Sequence, residues 1–450
     1  MFSDRSAVSG EFRGKRGVSS GLRFFDWDKN VGYWLSSKFF QCSRVIIASF
    51  CYVAVLYAND LNAVASAASK PKNWLEWEQL TGDWGGGRAA LADRGVSPYM
   101  TWTSQITHSL HGGLRSGTDV EGVVEFGADF DLEKLGAWNG ATIHTSGFWI
   151  QDNNDPSADF VGNFDEVSNL AALRSVRFYQ AYVKQNFFAG KLIAKLGQLA
   201  LDDNFMISAQ SSMFVNASFG SLPVLSANTK APIYPLGALG VWAQMNFTNA
   251  FRLQMGVYDG NAGTQSSNRD GFDYSLSNRQ GAAIMTEFGL DGGSGTYKLG
   301  ALFHTGEFTD YRSGDTRSGN YALYLVLDQM LTGNRDKPTL GVFLRSGLSP
   351  LVGCNEVDWY VDAGITDRGL FNGDRIGIGF SHSSFAGAFV ESQSNSGTLV
   401  TDAESVIELS YQKQITRWSM IQPDLQYVIN PQNAAAHNAL VAAVRMKLSF

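Results

Sequence analysis

Charged and aromatic residues recur at alternate positions in several stretches of this chain, and that spacing marks where its chemistry lies. Arg252, Lys298, Arg345, Arg375, Arg445 and Lys447 are donors, and Glu125, Asp129, Asp358, Asp362 and Glu408 are acceptors. Trp242, Tyr258 and Tyr360 add flat aromatic surfaces. A period of two places such residues on one face of a strand, with an apolar row on the other. A face that mixes donors, acceptors and rings can replace water around a hydroxyl-rich solute and lie against its apolar faces. Taken singly, each residue reads more readily as a wall residue paired with a charge across the strand, so the functional reading rests on the set.

Other chemistries fit less well. The six histidines, His108, His111, His144, His304, His382 and His437, form no constellation with a serine and an acid, so a hydrolase is not expected. A spacing of three puts His108 and His111 on opposite faces of a strand, which argues against a shared metal. The acidic stretch with Asp152, Asp155 and Asp159 reads as solvated external charge in preference to a calcium site. No catalytic residue, metal or cofactor is therefore expected.

The elements that must position these residues are strands. Counting back from the terminus, Phe450, Leu448, Met446, Val444, Ala442 and Leu440 form an apolar row, while Ser449, Lys447 and Arg445 form the interleaved one. Sixteen segments of roughly ten residues follow from Tyr99 onward, which is the length a tilted membrane strand requires. They begin near Tyr99, Val120, Gly140, Arg174, Gly190, Leu236, Ala250, Gln280, Thr296, Tyr321, Lys337, Asn355, Asp374, Glu404, Thr416 and Ala436. Short connections at 188–190, 248–250, 291–295, 332–336, 369–373 and 415–417 alternate with longer polar ones at 151–173, 201–235, 259–279 and 307–319. The connection 349–354 is short and breaks that trend.

Alternation also assigns faces. Phe251, Leu253, Met255 and Val257 look outward, with Arg252, Gln254 and Tyr258 inward. Tyr297, Leu299, Ala301 and Phe303 oppose Lys298 and His304, and Val357, Trp359, Val361 and Ala363 oppose Asp358, Tyr360 and Asp362. The fourth segment, 174–187, allows no single assignment. A closed sheet of this strand number is too wide for side chains to fill and encloses an aqueous channel.

Composition agrees: 48 glycines, 30 phenylalanines, 16 tyrosines and 11 tryptophans accompany only 17% charged residues. After residue 65 no stretch reaches the ~18 to 20 apolar residues of a spanning helix, so a spanning form must be a barrel. Lys38 and Arg44 precede the apolar run 45–57, and small residues follow at 63–69, the pattern of a secretory signal peptide cut after Ala65 or Ala67. No methionine lies between Met1 and Met100, and Val31 or Leu35 is the expected start. Cys42 and Cys51 leave with the signal, so only Cys354 remains and no internal disulfide is possible. Residues 1–65 hold 8 Lys+Arg and 5 Asp+Glu of the 35 and 42 in the chain, which leaves 27 − 37 = −10 for the remainder. That acidity argues against nucleic acid as a partner.

Two blocks carry a family resemblance. Leu80, Thr81, Gly82, Asp83, Trp84, Gly85 and Gly86, followed by Arg88, Leu91 and Gly95, resemble the opening signature of the carbohydrate-selective porins of the OprB family. The block 214–241, with Phe214, Asn216, Phe219, Tyr234 and Pro235, resembles a second region of the same family. The likeness extends from Trp74 to Phe450. From the residues alone, Gly85, Gly86 and Gly87 make a flexible entry, Arg88 to Arg94 are helix formers and Gly95 is a C-terminal cap. A nucleotide-binding glycine loop is not expected, since the Lys-Ser/Thr of such a loop is missing and no strand clearly precedes it. The resemblance implies that this helix packs at the periplasmic side and that the second block folds into the channel and narrows it. Phe205, Met206, Phe214, Phe219, Leu222 and Pro223 would be poorly placed in open water, which favours inward packing.

The expected fold class is all-β: a transmembrane antiparallel β-barrel of 16 strands with a short N-terminal periplasmic helix and an inward-folded constriction loop. Residues 1–65 form the leader and signal peptide, 66–98 the periplasmic segment with its helix, and 99–450 the outer-membrane barrel. The expected function is passive, carbohydrate-selective diffusion of monosaccharides such as glucose and related polyols into the periplasm. A general or anion-selective porin and a structural or adhesive barrel are the alternatives; mixed charge on the inward rows disfavours anion selectivity. Expected partners are outer-membrane lipid, lipopolysaccharide and the barrel assembly machinery, and both a monomer and a homotrimer stay open. The terminal Phe450 reads as the assembly signal: deleting it is expected to impair membrane insertion, scored by membrane fractionation, and normal insertion would contradict that role.

Overall fold

The computed structural model describes residues 73–450 apart from 153–154, 335–336, 338 and 371–372. The expected signal peptide and start lie outside the described residues. Sixteen strands form one closed antiparallel barrel in which each strand pairs with its neighbours in sequence. They are β1 (Val96–Gly113), β2 (Gly117–Asp131), β3 (Ala141–Gln151), β4 (Ser175–Phe187), β5 (Leu192–Leu199), β6 (Ala238–Asn246), β7 (Phe251–Asp259) and β8 (Ala282–Asp291). The second half comprises β9 (Gly295–Thr309), β10 (Thr316–Met330), β11 (Leu340–Leu348), β12 (Val357–Asp367), β13 (Arg375–Phe385), β14 (Ala403–Thr416), β15 (Ser419–Ile429) and β16 (His437–Ser449). β16 closes on β1 from Thr101↔Ser449 to Gly113↔His437, so neither strand leaves an open edge.

The side-chain period produces the two faces. Met255, Val257, Leu299 and Phe303 are exposed on the outer surface, while Gln254, Tyr258, Lys298 and His304 are buried inside. On β16, Val444 and Met446 point out and Arg445 points in, as the terminal alternation requires.

Two bulges account for the places where alternation misleads. In β12 the register slips between Val357↔Phe385 and Trp359↔Ser384, leaving Asp358 as the extra residue. Val357, expected on the lipid face, is consequently fully buried inside, and the Asp358 carboxylate turns back onto the Trp359 N–H at 2.8 Å. In β4 the slip lies between Ser146↔Gln180 and Gly147↔Phe178. Arg177, Tyr179 and Gln180 are all buried inside, which is why no single alternation fits that strand.

The two ends of the barrel differ. One carries the connections 132–140, 188–191, 247–250, 292–294, 331–339, 368–374 and 417–418. The other carries 152–174, 200–237, 260–281 and 386–402, the last containing a helix at Gly387–Asn395. Two connections at that end are shorter than expected: β1 and β2 are joined by 114–116, and β9 and β10 extend until only 310–315 remains between them.

The N-terminal segment sits at the short-turn end. Helix α1 (Gly87–Asp93) enters through Gly86 at φ 93° and is followed by Gly95 at φ 89°, conformations that favour glycine. It is held by Lys134 Nζ on the Ala92 carbonyl at 2.9 Å. Trp74 stacks on Trp418 with centroids 5.3 Å apart, Leu80 N–H bonds the Ser449 carbonyl at 2.8 Å, and Phe450 N–H bonds that of Met100 at 2.9 Å. The segment thus reaches the β14–β15 turn through Trp418 and the end of β16 through Ser449.

Phe380 lies on the outer face of β13, well inside the strand, and is 42% exposed. Phe380→Arg is expected to destabilise the barrel by about 2–4 kcal/mol, and Ile415→Arg near a strand end by about 0–1 kcal/mol, in urea titrations of the vesicle-inserted protein.

Candidate functional site

The long connection 200–237 does not lie outside the barrel; it folds inward and is bound to the wall by side chains of β8 to β15. A segment without regular strands inside a barrel must find partners for its backbone groups. Glu287 accepts the Met206 N–H at 3.0 Å, and Asp328 accepts the Ser208 hydroxyl and the Ala209 N–H at 2.5 and 2.9 Å. Glu408 receives the N–H groups of Val215 and Asn216 at 2.7 and 3.0 Å. Arg345 donates to the carbonyls of Gly220 and Ser218 at 2.6 and 3.0 Å and pairs with Asp362. The Tyr360 hydroxyl reaches the Ser218 carbonyl and Asp362 at 2.7 and 2.8 Å. Asn216 Nδ2 bonds the Asp165 carbonyl at 3.1 Å and Gln426 at 3.0 Å.

Apolar packing completes the attachment. Phe214 and Phe219 pack together with Met213 and Phe343, while Phe205, Leu222 and Leu225 join the main buried cluster with Tyr258 and Tyr360. The inward row of β13 makes room with Gly377 and Gly379; a Cβ at Gly379 would lie 2.8 Å from the Phe219 ring.

A second connection, 152–174, also turns inward, contrary to its expected place as a polar outer loop. Glu404 accepts the N–H groups of Phe164 and Asp165 at 2.8 and 2.9 Å, and the Asp165 carboxylate takes the Ser383 hydroxyl at 2.8 Å. Gln426 bonds the Val167 carbonyl at 2.9 Å, and Phe160, Val161 and Val167 pack on Val406, Val428, Ala439 and Val441. The two loops join through Asn169 N–H to the Val215 carbonyl at 2.7 Å and the Tyr234 hydroxyl to that of Leu170 at 3.0 Å. Burial, then the neighbouring carboxylates Asp155, Glu121, Asp152 and Asp165, push Glu166 up to about 8.

The side of the barrel formed by β1 to β5 stays open. A cavity of ≈ 520 Å³ lies there, between that wall and Leu170, Asp203 and Tyr234 of the infolded loops. Its wall carries an aromatic and charged column. Tyr99, His144 and Tyr182 follow one another with centroid separations of 6.1 and 4.9 Å, and Lys195 Nζ lies 5.0 Å from the rings of both Tyr182 and Trp242. The Tyr99 hydroxyl bonds Glu125 at 3.0 Å, and His144 Nδ1 is 2.8 Å from Asp129. Asp203 is bonded by Gln180 and raised above the ordinary carboxylate range by burial, with Lys195 opposing the shift. Both signs of charge and several ring faces thus meet the same space.

The residues singled out in the sequence divide between the two sides. Glu125 and Lys447 line the cavity, and Asp129 stands beside it through His144. Tyr258, Arg345, Tyr360, Asp362 and Glu408 do face inward, but at 0–1% exposure they lie beneath the infolded loops and anchor them. Lys298 donates to the Ile207 carbonyl at 2.7 Å, Arg375 to that of Ala209 at 3.2 Å, and Arg445 to Gln105 at 2.8 Å. Trp242 is buried with its Nε1 on Gln254 at 3.2 Å, and Arg252 pairs with Asp291 near the short-turn end. Asp358 occupies the β12 bulge. Of the loop residues, Phe205, Phe214, Asn216, Phe219 and Pro235 are buried, whereas Tyr234 borders the cavity.

Tyr99, His144, Tyr179, Tyr182, Lys195 and Asp203 were missed. The first two lie on ordinary alternating rows and were legible; the β4 bulge hid Tyr179 and Tyr182. Gly377 and Gly379 on an inward row were the available sign that something else fills that part of the interior.

Comparison with known proteins places these features in context. Residues 115–450 match the family model described as "Carbohydrate-selective porin, OprB family". The chain is 25% identical to QuiX of Acinetobacter baylyi, over 85% of this chain and 94% of that protein. It is 24% identical to Porin B of Pseudomonas aeruginosa, over 88% of this chain and 96% of that one. The high-pH structure of Pseudomonas putida OprB superposes with a TM-score of 0.76 at 25% identity, covering 83% of this chain and 99% of that one.

Arg345 ties the wall to the 200–237 loop through a buried ion pair. Arg345→Ala strands the Asp362 carboxylate and two loop carbonyls, and is expected to lower stability by about 3–5 kcal/mol in urea unfolding. It is also expected to raise single-channel conductance as the loop loosens.

Proposed function

Because the chain belongs to the carbohydrate-selective porins of the OprB family, and is an outer-membrane channel for carbohydrates, we propose that it passes monosaccharides and related polyols down their gradient along the β1–β5 side. The column Tyr99–His144–Tyr182–Lys195 supports this reading. A pyranose offers apolar C–H faces to rings and a belt of hydroxyls to charged and amide groups, and the wall supplies both within one cavity. Glu125 and Asp203 accept from sugar hydroxyls, while Lys195, Lys447 and Gln180 donate. The mixture of signs leaves little field to select simple anions.

Passage needs no reacting group, and we assign the chain no catalytic role. In this reading the infolded loops act as the constriction, each held to the wall so that the remaining gap keeps its width. Residues 1–65 serve as leader and signal peptide, and the short-turn end with residues 66–98 faces the periplasm. The barrel is inserted by the assembly machinery into lipid and lipopolysaccharide, and its outer face is compatible with a monomer or a homotrimer.

Tyr182→Ala is expected to slow glucose-driven liposome swelling by about 5-fold, corresponding to roughly 1 kcal/mol of ring contact, while swelling by a non-sugar of similar size is unchanged. Equal rates for the sugar and the non-sugar through the unmodified protein would remove the carbohydrate reading at this wall.

A further inference from the structure

At the long-loop end of β2, Asp119 and Glu121 occupy alternate positions on the inner face and are 3% and 2% exposed. Asp152 follows directly on β3, whose last residue pairs with Gly122 of β2. One carboxylate oxygen from each of the three lies within 4.8 Å of the others. Both oxygens of Glu121 are buried, with no hydrogen-bond partner within 3.5 Å.

Three carboxylates this close repel one another, and burial of two removes the water that would screen them. The groups available to answer the charge of Glu121 are few. The Ser168 hydroxyl and the Arg445 guanidinium are its neighbours, while Asp119 and Asp152 add repulsion. Arg445 is already turned onto Gln105 at 2.8 Å, with Ser168 at 3.5 Å.

We propose that Asp119, Glu121 and Asp152 bind one divalent cation of the calcium class, which fixes the start of the infolded 152–174 loop to β2. The donor set is all oxygen, without thiolate or imidazole, which suits a hard cation over zinc or copper. Calcium accepts six to eight oxygens in flexible geometry, so carboxylates binding through one or both oxygens can be completed by water, whereas magnesium demands near-octahedral order.

The site differs from the one the acidic stretch suggests in sequence. Asp155 and Asp159 are used within their own turn, Asp155 Oδ1 accepting the Ala158 N–H at 2.9 Å and Asp159 Oδ2 the Asp155 N–H at 3.3 Å. Asp152 is recruited instead by two residues of a neighbouring strand. The inference stands independently of which solute crosses the channel.

The test uses the full chain refolded into detergent micelles, free of lipopolysaccharide and stripped with EDTA, then titrated with calcium chloride in a calorimeter. One site with a Kd of roughly 10⁻⁵ to 10⁻³ M is expected. Glu121→Gln and Asp152→Asn should each weaken binding at least tenfold, and Glu391→Gln, on the surface, should not. Calcium should raise the unfolding temperature of the unmodified barrel but not that of the two site variants, whose folding is verified by heat-modifiable gel mobility. If Glu121→Gln fails to fold, Asp152→Asn decides. Absence of calcium binding by the folded unmodified protein, unchanged affinity in a folded site variant, or equal affinity for magnesium would each overturn the proposal.

Discussion

Inside a closed barrel, any backbone that is not part of the ladder must find its hydrogen-bond partners on the wall, and this requirement organises the interior of the molecule. The strands satisfy one another around the circle, from β1 through to β16. The two infolded connections cannot do so. Their N–H and C=O groups are met instead by Glu287, Asp328, Arg345, Glu404, Glu408 and Gln426, inward side chains spread over five strands. A charged row that looks like a pore lining in sequence is, over most of the circumference, the attachment surface of a loop.

This division of labour makes the channel one-sided. From β8 to β15 the wall is covered, Phe205, Phe214, Phe219, Leu222 and Leu225 of the loop packing on wall residues such as Met285, Leu302, Tyr324, Phe343 and Tyr360. From β1 to β5 it carries the stacked rings and the balanced charges that face the cavity. A gap bounded by a strand wall on one side and a many-point-anchored loop on the other keeps its shape without any lid. Breaking one anchor exposes a desolvated charge as well as loosening the loop, so width and stability change together.

Much of the architecture was legible in the residues because a period of two is enforced by two solvents of opposite polarity. All sixteen observed strands correspond to segments readable in sequence, and the outward positions of Met255, Leu299 and Val444 follow from that period alone. The bulges at Tyr179 and Asp358 escaped it, since one extra residue reverses every later side chain and leaves no compositional mark. The inward fold of 152–174 escaped it too: its polar sequence suits open water, yet Glu404 and Gln426, hundreds of residues away, supply the partners that hold it inside.

By itself, the sequence determined the strand count, the closed topology, the sidedness of each regular strand and, through its two motif blocks, the family. These depend on local alternation and on short runs of residues, both of which can be read along the chain. Only the tertiary structure decided which inward charges meet the channel and which lie beneath a loop, and it alone brought Tyr99, His144, Tyr182 and Lys195 into one column. That choice rests on contacts between residues far apart in the chain, where Arg345 and Lys195 obey the same inward rule and differ only in what the folded loops place in front of them.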